Sequence, residues 1–386
     1  MEEAIAQTSN IAFEQGIANF SFSLYGEVEK NGNELVSPYS VSAALLLLML
    51  GTDGTTKAQM MSSIFKNKIP RDIHLGYRIL NGKLVDGTNT GATLTVANRL
   101  FASKIFKILD SYTTNALTYY GSSMELLDFV TQPDQSRTRI NDWIATQTNN
   151  KIQDMIPPRI IDANTIIVLA NAIYFKGTWK TQFEPRNTAK KTFFVGQNEH
   201  RSVDMMHGRF NATSGDNLEL GCKVLRIPFV GEKLEMVFLL PNDVTGLSRL
   251  ERHLKMSSFQ NAITGLRKHD TPIQIPKFVI ESEYDLIPIL TLLGFTEIFD
   301  SSVADFTSMV SPQPNSQGVY VSDAPHKTYV EVNEEGSEAA ASTTILVSRE
   351  SAMPPPFAFV ADHPFLFVIR ENETGTPLFI GRYTDP

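Results

Sequence analysis

Two hydrophobic periods share this chain. Ser9 to Tyr25 places apolar residues at helical spacing, and Gln135 to Thr148 (QSRTRINDWIATQT) turns Ile140, Trp143 and Ile144 to one side. Ser40 to Leu50 is apolar on every face, which predicts a helix buried all round, and its Leu45 to Leu50 run is too short to span a bilayer. Ile166 to Phe175, Val224 to Leu240 and Ile273 to Glu281 are rich in β-branched and aromatic residues and predict strands. Helices and strands are intermixed without a βαβ period, so the expected class is α+β.

A further strand is predicted over Gly318 to Asn333 (GVYVSDAPHKTYVEVN), where Val319, Val321, Tyr329, Val330 and Val332 keep β-favouring company. The run that follows is different in kind. Glu334, Glu335 and Gly336 lead into Ser337, Glu338, Ala339, Ala340, Ala341, Ser342, Thr343 and Thr344, mostly small side chains that neither anchor a core nor resist burial. By composition this is equally an alanine-rich helical turn or a flexible linker. In an extended strand, however, Ser337, Ala339, Ala341, Thr343 and Ile345 share one face, while Glu338 falls on the other. Ile345 to Pro356 then ends in a proline run that cannot donate to a ladder. A strand, an insertable segment and a proline-terminated tip in succession describe a stretched loop over about 334–356.

Four separated motifs give that loop a context. Phe359 to Ile369 (FVADHPFLFVI), Phe379-Ile380-Gly381-Arg382, Asn171 to Trp179 (NAIYFKGTW) and Ser37-Pro38-Tyr39-Ser40 stand in the order found in serpins, and the chain resembles that family over nearly its whole length. The resemblance implies an α+β fold of three β-sheets surrounded by about eight or nine helices, with an exposed C-terminal reactive loop. It is nearest in character to the ovalbumin-type branch, whose members are intracellular or leave the cell without a cleaved signal peptide.

Composition narrows the remaining choices. The 386 residues are long enough for two or three domains, but no linker divides them: the Gly/Ser/Thr/Asn-rich stretches Asp86 to Thr93 and Ser311 to Gly318 read as loops, and a single unit over 1–386 is expected. A net charge of −8 with dispersed cations argues against nucleic acid. Arg71 to Leu94 holds only Arg71, Arg78 and Lys83 as Lys or Arg, so a heparin-type cofactor is not expected. The single Cys222 excludes an intramolecular disulfide and, within LGCKVLRIPF, reads as an inert buried thiol. MEEAIAQTSN lacks the basic and apolar regions of a signal peptide, which points to a cytoplasmic protein, one secreted without a cleaved leader, or one whose leader is absent from this sequence. Asn19, Asn211 and Asn372 begin glycosylation triplets.

Catalysis by this chain is not expected. Nucleophile-elbow, phosphate-loop and zincin patterns are absent from the sequence, and His200 with His207 around Asp204 has no second cluster, so that segment reads as a loop and neither metal nor cofactor is anticipated. The resemblance instead implies an inhibitor. A serine protease attacks the loop as a substrate, and the cleaved loop inserts as a new central strand before the acyl-enzyme hydrolyses. A non-inhibitory storage, carrier or chaperone serpin is the alternative. Arg349, the sole Lys or Arg between Glu334 and Pro364, favours a trypsin-like target and the bond Arg349-Glu350; the family's usual spacing from the hinge points to Glu350-Ser351, and a count from the far end to near Met353. By the same resemblance Ser37, Ser40, Asn171 and His326 lie where the central sheet opens, and Glu334 pairs with Lys277 beside Trp179 at its top. The partner is then the target protease, with no membrane, and the protein a monomer able to form loop-sheet polymers.

Overall fold

The computed structural model describes residues 2–66, 68–85, 92–122, 124–311, 318–335 and 357–386. Among these residues there are nine α-helices and two hydrogen-bonded strand networks, the mixed architecture that the intermixed periods predict. One network has six strands. Its order is Phe278–Asp285, Pro325–Val332, Ile167–Gly177, Ala92–Ser103 and Glu125–Leu127, with Val321–Asp323 also paired to Ile167–Gly177. The other has nine strands and includes the chain's last two long strands, Phe365–Glu371 and Pro377–Tyr383.

Ladders expected as three sheets run as two networks because one strand is shared. His200–Asn217, at 18 residues, pairs with Ala189–Phe194 through residues 200–205 and with Cys222–Pro228 through residues 213–217. Arg267–Pro276 follows it along residues 205–214, so hydrogen bonding continues from one layer into the next. His200 and His207 therefore lie on a strand and not in the expected loop; seven residues apart, they point to opposite faces.

The helix Pro38–Met49 fixes the core. Ser37 caps it by accepting from the Ser40 N–H, Pro38 occupies its first turn, and all twelve of its residues are buried. It packs between Pro377–Tyr383 of one network and Ala92–Ser103 and Ile167–Gly177 of the other. On the opposite face of the six-stranded sheet a smaller cluster is covered by the helix Pro133–Gln147, whose Ile140 and Ile144 are fully buried and whose Trp143 meets Phe101 edge-on, 5.5 Å between centroids.

Strand boundaries depart from the pattern at three places. Gly318 to Asn333 is not one strand: Val321–Asp323 and Pro325–Val332 both run parallel to Ile167–Gly177, with a register shift between Val321 and Asp323, and Pro325 has no N–H to carry a ladder through. Val224 to Leu240 is the hairpin Cys222–Pro228 and Leu234–Pro241, reversed where Gly231 and Glu232 take positive φ of 78° and 55°. Ile273 to Glu281 belongs to two strands of different networks, Arg267–Pro276 and Phe278–Asp285, separated by Lys277 alone. The loop expected over Asp86 to Thr93 ends earlier, since Ala92 already begins a strand; residues 86–91, like 312–317 of the second expected loop, lie outside the described set. Cys222 is fully buried, and burial pushes its thiol up to about 12, as an inert thiol requires. Among the described residues no helix is long and apolar enough to cross a membrane, and no group of three or more His, Cys, Asp or Glu could hold a metal.

Candidate functional site

Two adjacent parallel strands define the site. Pro325–Val332 pairs directly with Ile167–Gly177 in the register His326 to Asn171 through Glu331 to Lys176, and with Phe278–Asp285 on its other side. Parallel neighbours without a strand between them leave a seam that a chain running antiparallel to both could enter. The described chain continues past the upper end of Pro325–Val332 to Glu335, the second residue of the small-residue run.

Below the middle of the sheet, three strands and one helix start bring polar groups together. Asn98, Asn171 and His326 are register partners across Ala92–Ser103, Ile167–Gly177 and Pro325–Val332. Asn171 Nδ2 donates to Asn98 Oδ1 and to Ser40 O, both at 2.7 Å. Ser40 Oγ donates to Asn98 Oδ1 at 3.0 Å, and Ser37 Oγ to Leu378 O at 2.7 Å. The Ser37 N–H donates to His326 Nε2 at 3.2 Å, and His326 Nδ1 bonds Asn171 Oδ1. With Nε2 accepting, the Nδ1–H tautomer completes the chain of bonds, and burial lowers the imidazole to about 3, so it stays neutral. Ser37, Ser40, Asn171 and His326 are all fully buried, and a donor or acceptor left unpaired there costs about 1–3 kcal/mol. The four residues expected at the opening region are thus one network. Asn98 is the member that sequence reasoning missed, and its signal was an amide inside the apolar run ATLTVANRLFAS.

At the top of the seam Glu334, 7% exposed, is gripped from three sides. Lys277 Nζ lies 2.8 Å from its Oε2, Thr188 Oγ1 donates to its Oε1 at 2.7 Å, and the Phe183 N–H donates to its carbonyl at 3.1 Å. Burial pushes the carboxyl up, but the Lys277 ammonium and the Thr188 hydroxyl outweigh it and hold the group below its ordinary value. Lys277 is positioned from its own backbone, whose N–H donates to Asp204 O at 2.8 Å where the two networks meet. Trp179 donates Nε1–H to Asn333 O at 2.9 Å and stacks on Phe229 with centroids 4.7 Å apart. Gly177 admits that ring, since a Cβ there would sit 2.5 Å from Phe229. Gln182 Nε2 donates to Glu335 O at 2.9 Å. Trp179, Lys277 and Glu334 come together as expected, whereas Thr188, Gln182 and Asn333 carried no sequence signal, being ordinary polar residues in loops.

The remaining site residues, Gly336, Ser337, Glu338, Ala339, Ala340, Ala341, Ser342, Thr343 and Thr344 of the hinge and Arg349, Glu350 and Ser351 at the expected bonds, lie outside the described residues.

Known proteins match this arrangement over nearly all of its length. A family profile described as "Serpin (serine protease inhibitor)" covers residues 15–386. Serpin B8 of Homo sapiens is 38% identical over 95% of this chain and 96% of its own length, and leukocyte elastase inhibitor A of Rattus norvegicus is 36% identical over 95% and 96%. The crystal structure of uncleaved ovalbumin is similar with a TM-score of 0.86 at 28% identity, covering 96% of this chain and 99% of that one. With its motifs, its seam and its fold all accounted for in this way, the chain belongs to the serpin family of serine protease inhibitors.

Proposed function

We propose that this serpin is inhibitory: it offers its loop to a serine protease and traps the acyl-enzyme by inserting the cleaved loop into the seam. The direct pairing of residues 326–331 with 171–176 carries this reading. A chain that leaves the top of Pro325–Val332 and turns back can run antiparallel between that strand and Ile167–Gly177, exchanging one ladder for two. About a dozen new ladder bonds at ~1 kcal/mol each, with side-chain burial, supply on the order of 10 kcal/mol. The protease serine attacks the carbonyl of the scissile residue, the new N-terminus leaves, and the strand drags the ester-linked enzyme until its oxyanion hole no longer supports water attack. Ser337, Ala339, Ala341 and Thr343 put no charge or bulk on the inserting face.

A trypsin-like target cleaving Arg349-Glu350 is the favoured specificity, because Arg349 is the one cation in the loop. Relatives such as leukocyte elastase inhibitor favour a second reading, an elastase-type target that cleaves beyond a small apolar residue such as Val347 or Ala352. Mass spectrometry of the fragment released from an SDS-stable complex tests both. A fragment beginning at Glu350 supports the trypsin-like reading, one beginning at Ser351 places the bond at Glu350-Ser351, and one beginning at Ser348 or Met353 supports the elastase-type reading. Cleavage by every protease without any stable complex would replace inhibition with a storage, carrier or chaperone role.

A further inference from the structure

On the face of the seam covered by the helix Pro133–Gln147, the two strands are held by side chains as well as by their ladder. Tyr329 and Tyr174 are register partners with ring centroids 5.5 Å apart, inclined at 43°. The next pair upward, Glu331 and Lys176, forms an ion pair at 3.8 Å. From the segment that leaves the covering helix, Lys151 sets its ammonium 5.7 Å from the centroid of the Tyr329 ring. Tyr174 is 5% exposed and Tyr329 half-buried, so the rings pack on the sheet with Tyr174 shielded from water.

We propose that Tyr174 and Tyr329, capped by Lys151, form a clamp that sets the rate of loop insertion. The inference rests on the inhibitory reading above. An inserted strand moves the two parent strands from one strand spacing to two, from about 4.8 Å to about 9.6 Å, with side chains of the new strand between the rings. The ring contact therefore exists only before insertion, and every part of it lost in the opening step slows that step. An aromatic pair across two strands, with a cation over one face, is strong enough to change the opening rate roughly two- to tenfold. Because insertion competes with hydrolysis, the clamp sets how many inhibitor molecules are cleaved for each protease trapped. A fast protease is caught only by a loosened clamp.

Uptake of an exogenous peptide with the sequence of residues 337–348 reads the opening without a protease. Tyr174→Leu/Tyr329→Leu is compared with wild type, with Lys151→Ala as the variant certain to leave the core intact and Tyr120→Leu as the control, since Tyr120 stacks on Tyr77 at 4.7 Å away from the seam. The double variant should take up peptide two- to tenfold faster, Lys151→Ala faster by a smaller factor, and Tyr120→Leu at the wild-type rate. Uptake no faster in the double variant, or equally faster in Tyr120→Leu, overturns the clamp. Stable complexes from wild type with unchanged uptake in the variants sink the clamp alone. Faster uptake in the variants of a wild type that traps no protease upholds the clamp and sinks the inhibitory reading, and no uptake by any of the proteins overturns both.

Discussion

Lys277 reaches Glu334 from the boundary between two strand networks: it is the single residue between Pro276 and Phe278, strands of different networks, and its Nζ lies 2.8 Å from the carboxylate. The pair therefore ties the far layer to the end of the strand from which the loop departs. It also shows how little of a contact is carried by charge alone, since Lys277 is 40% exposed and solvent screens it, while Thr188 and the Phe183 N–H hold the same residue from inside.

Glu334→Lys should accordingly do more harm than loss of one surface ion pair. It removes the acceptor of the Thr188 bond, sets two ammonium groups together and frees the top of the seam, a loss on the order of 2 kcal/mol. The visible effect is association, because an opened seam accepts the loop of a second molecule. Size-exclusion chromatography after mild heating should show a ladder of polymers for Glu334→Lys and monomer for wild type. Equal monomer in both would remove the pair from any role in keeping the sheet closed.

Acid should weaken the sheet through His326. Its native value near 3 lies below the ordinary 6.5, so between these values the unfolded chain binds the proton that the native network refuses. Stability from this group is complete above pH 6.5 and declines as pH falls toward 3, by about 1.4 kcal/mol at pH 5.5. His326→Gln keeps an acceptor for the Ser37 N–H and a donor for Asn171 but cannot be protonated. Between pH 7.5 and 5.5 at one scan rate, wild type should lose more Tm than this variant, by about 2–3 °C. Identical losses would assign the pH dependence elsewhere, for instance to His74, which burial lowers to about 4.

Most of the framework was legible because it rests on local patterns that tertiary context does not overturn. The buried helix Pro38–Met49 shows itself in the unbroken apolar run from Ala43 to Leu50, and the Pro133–Gln147 helix in its Ile140 and Ile144 spacing. What failed was punctuation inside β-rich runs. The Ile273 to Glu281 run gave no sign that Lys277 separates strands of two networks, because β-favouring composition continues across Pro276 and only the geometry of the layers makes the break. The same holds for Gly318 to Asn333, where the register shift before Pro325 is set by pairing with Ile167–Gly177. At the site, Ser37, Ser40, Asn171 and His326, like Trp179, Lys277 and Glu334, were reached through the motifs shared with the family and not from their own local chemistry. Thr188 and Gln182 were not, because a polar residue in a loop announces nothing until its partner is placed.

Charge on the inserting face should convert inhibitor into substrate. Ala341→Arg or Thr343→Arg requires a guanidinium to be buried against the sheet, at a cost on the order of several kcal/mol, while Glu338, on the opposite face by alternation, tolerates replacement. With a protease that wild type traps, the arginine variants should be cleaved in the loop and release active enzyme, and their SDS-stable complex should fall at least tenfold. Undiminished complex would mean that these positions are not buried during trapping.

Cleavage of the loop should make the protein more stable. The seam between Pro325–Val332 and Ile167–Gly177 is closed by its own ladder, by the hydrogen bonds among Asn98, Asn171 and His326, and by Glu334 at the top. Each is a cost of opening, and the return is two ladders in place of one. If insertion yields on the order of 10 kcal/mol, and ~2 °C of Tm accompanies each kcal/mol in a protein of this size, the nicked form should melt roughly 20 °C above the intact one. Both forms must be scanned at one rate, since irreversible unfolding makes Tm rate-dependent. Nicking should be done in the loop by a protease that is not trapped, so that the product carries no enzyme. A nicked protein that melts no higher than the intact one would leave the serpin fold untouched but would remove the energy that distorts a trapped protease, and the storage, carrier or chaperone reading would then follow.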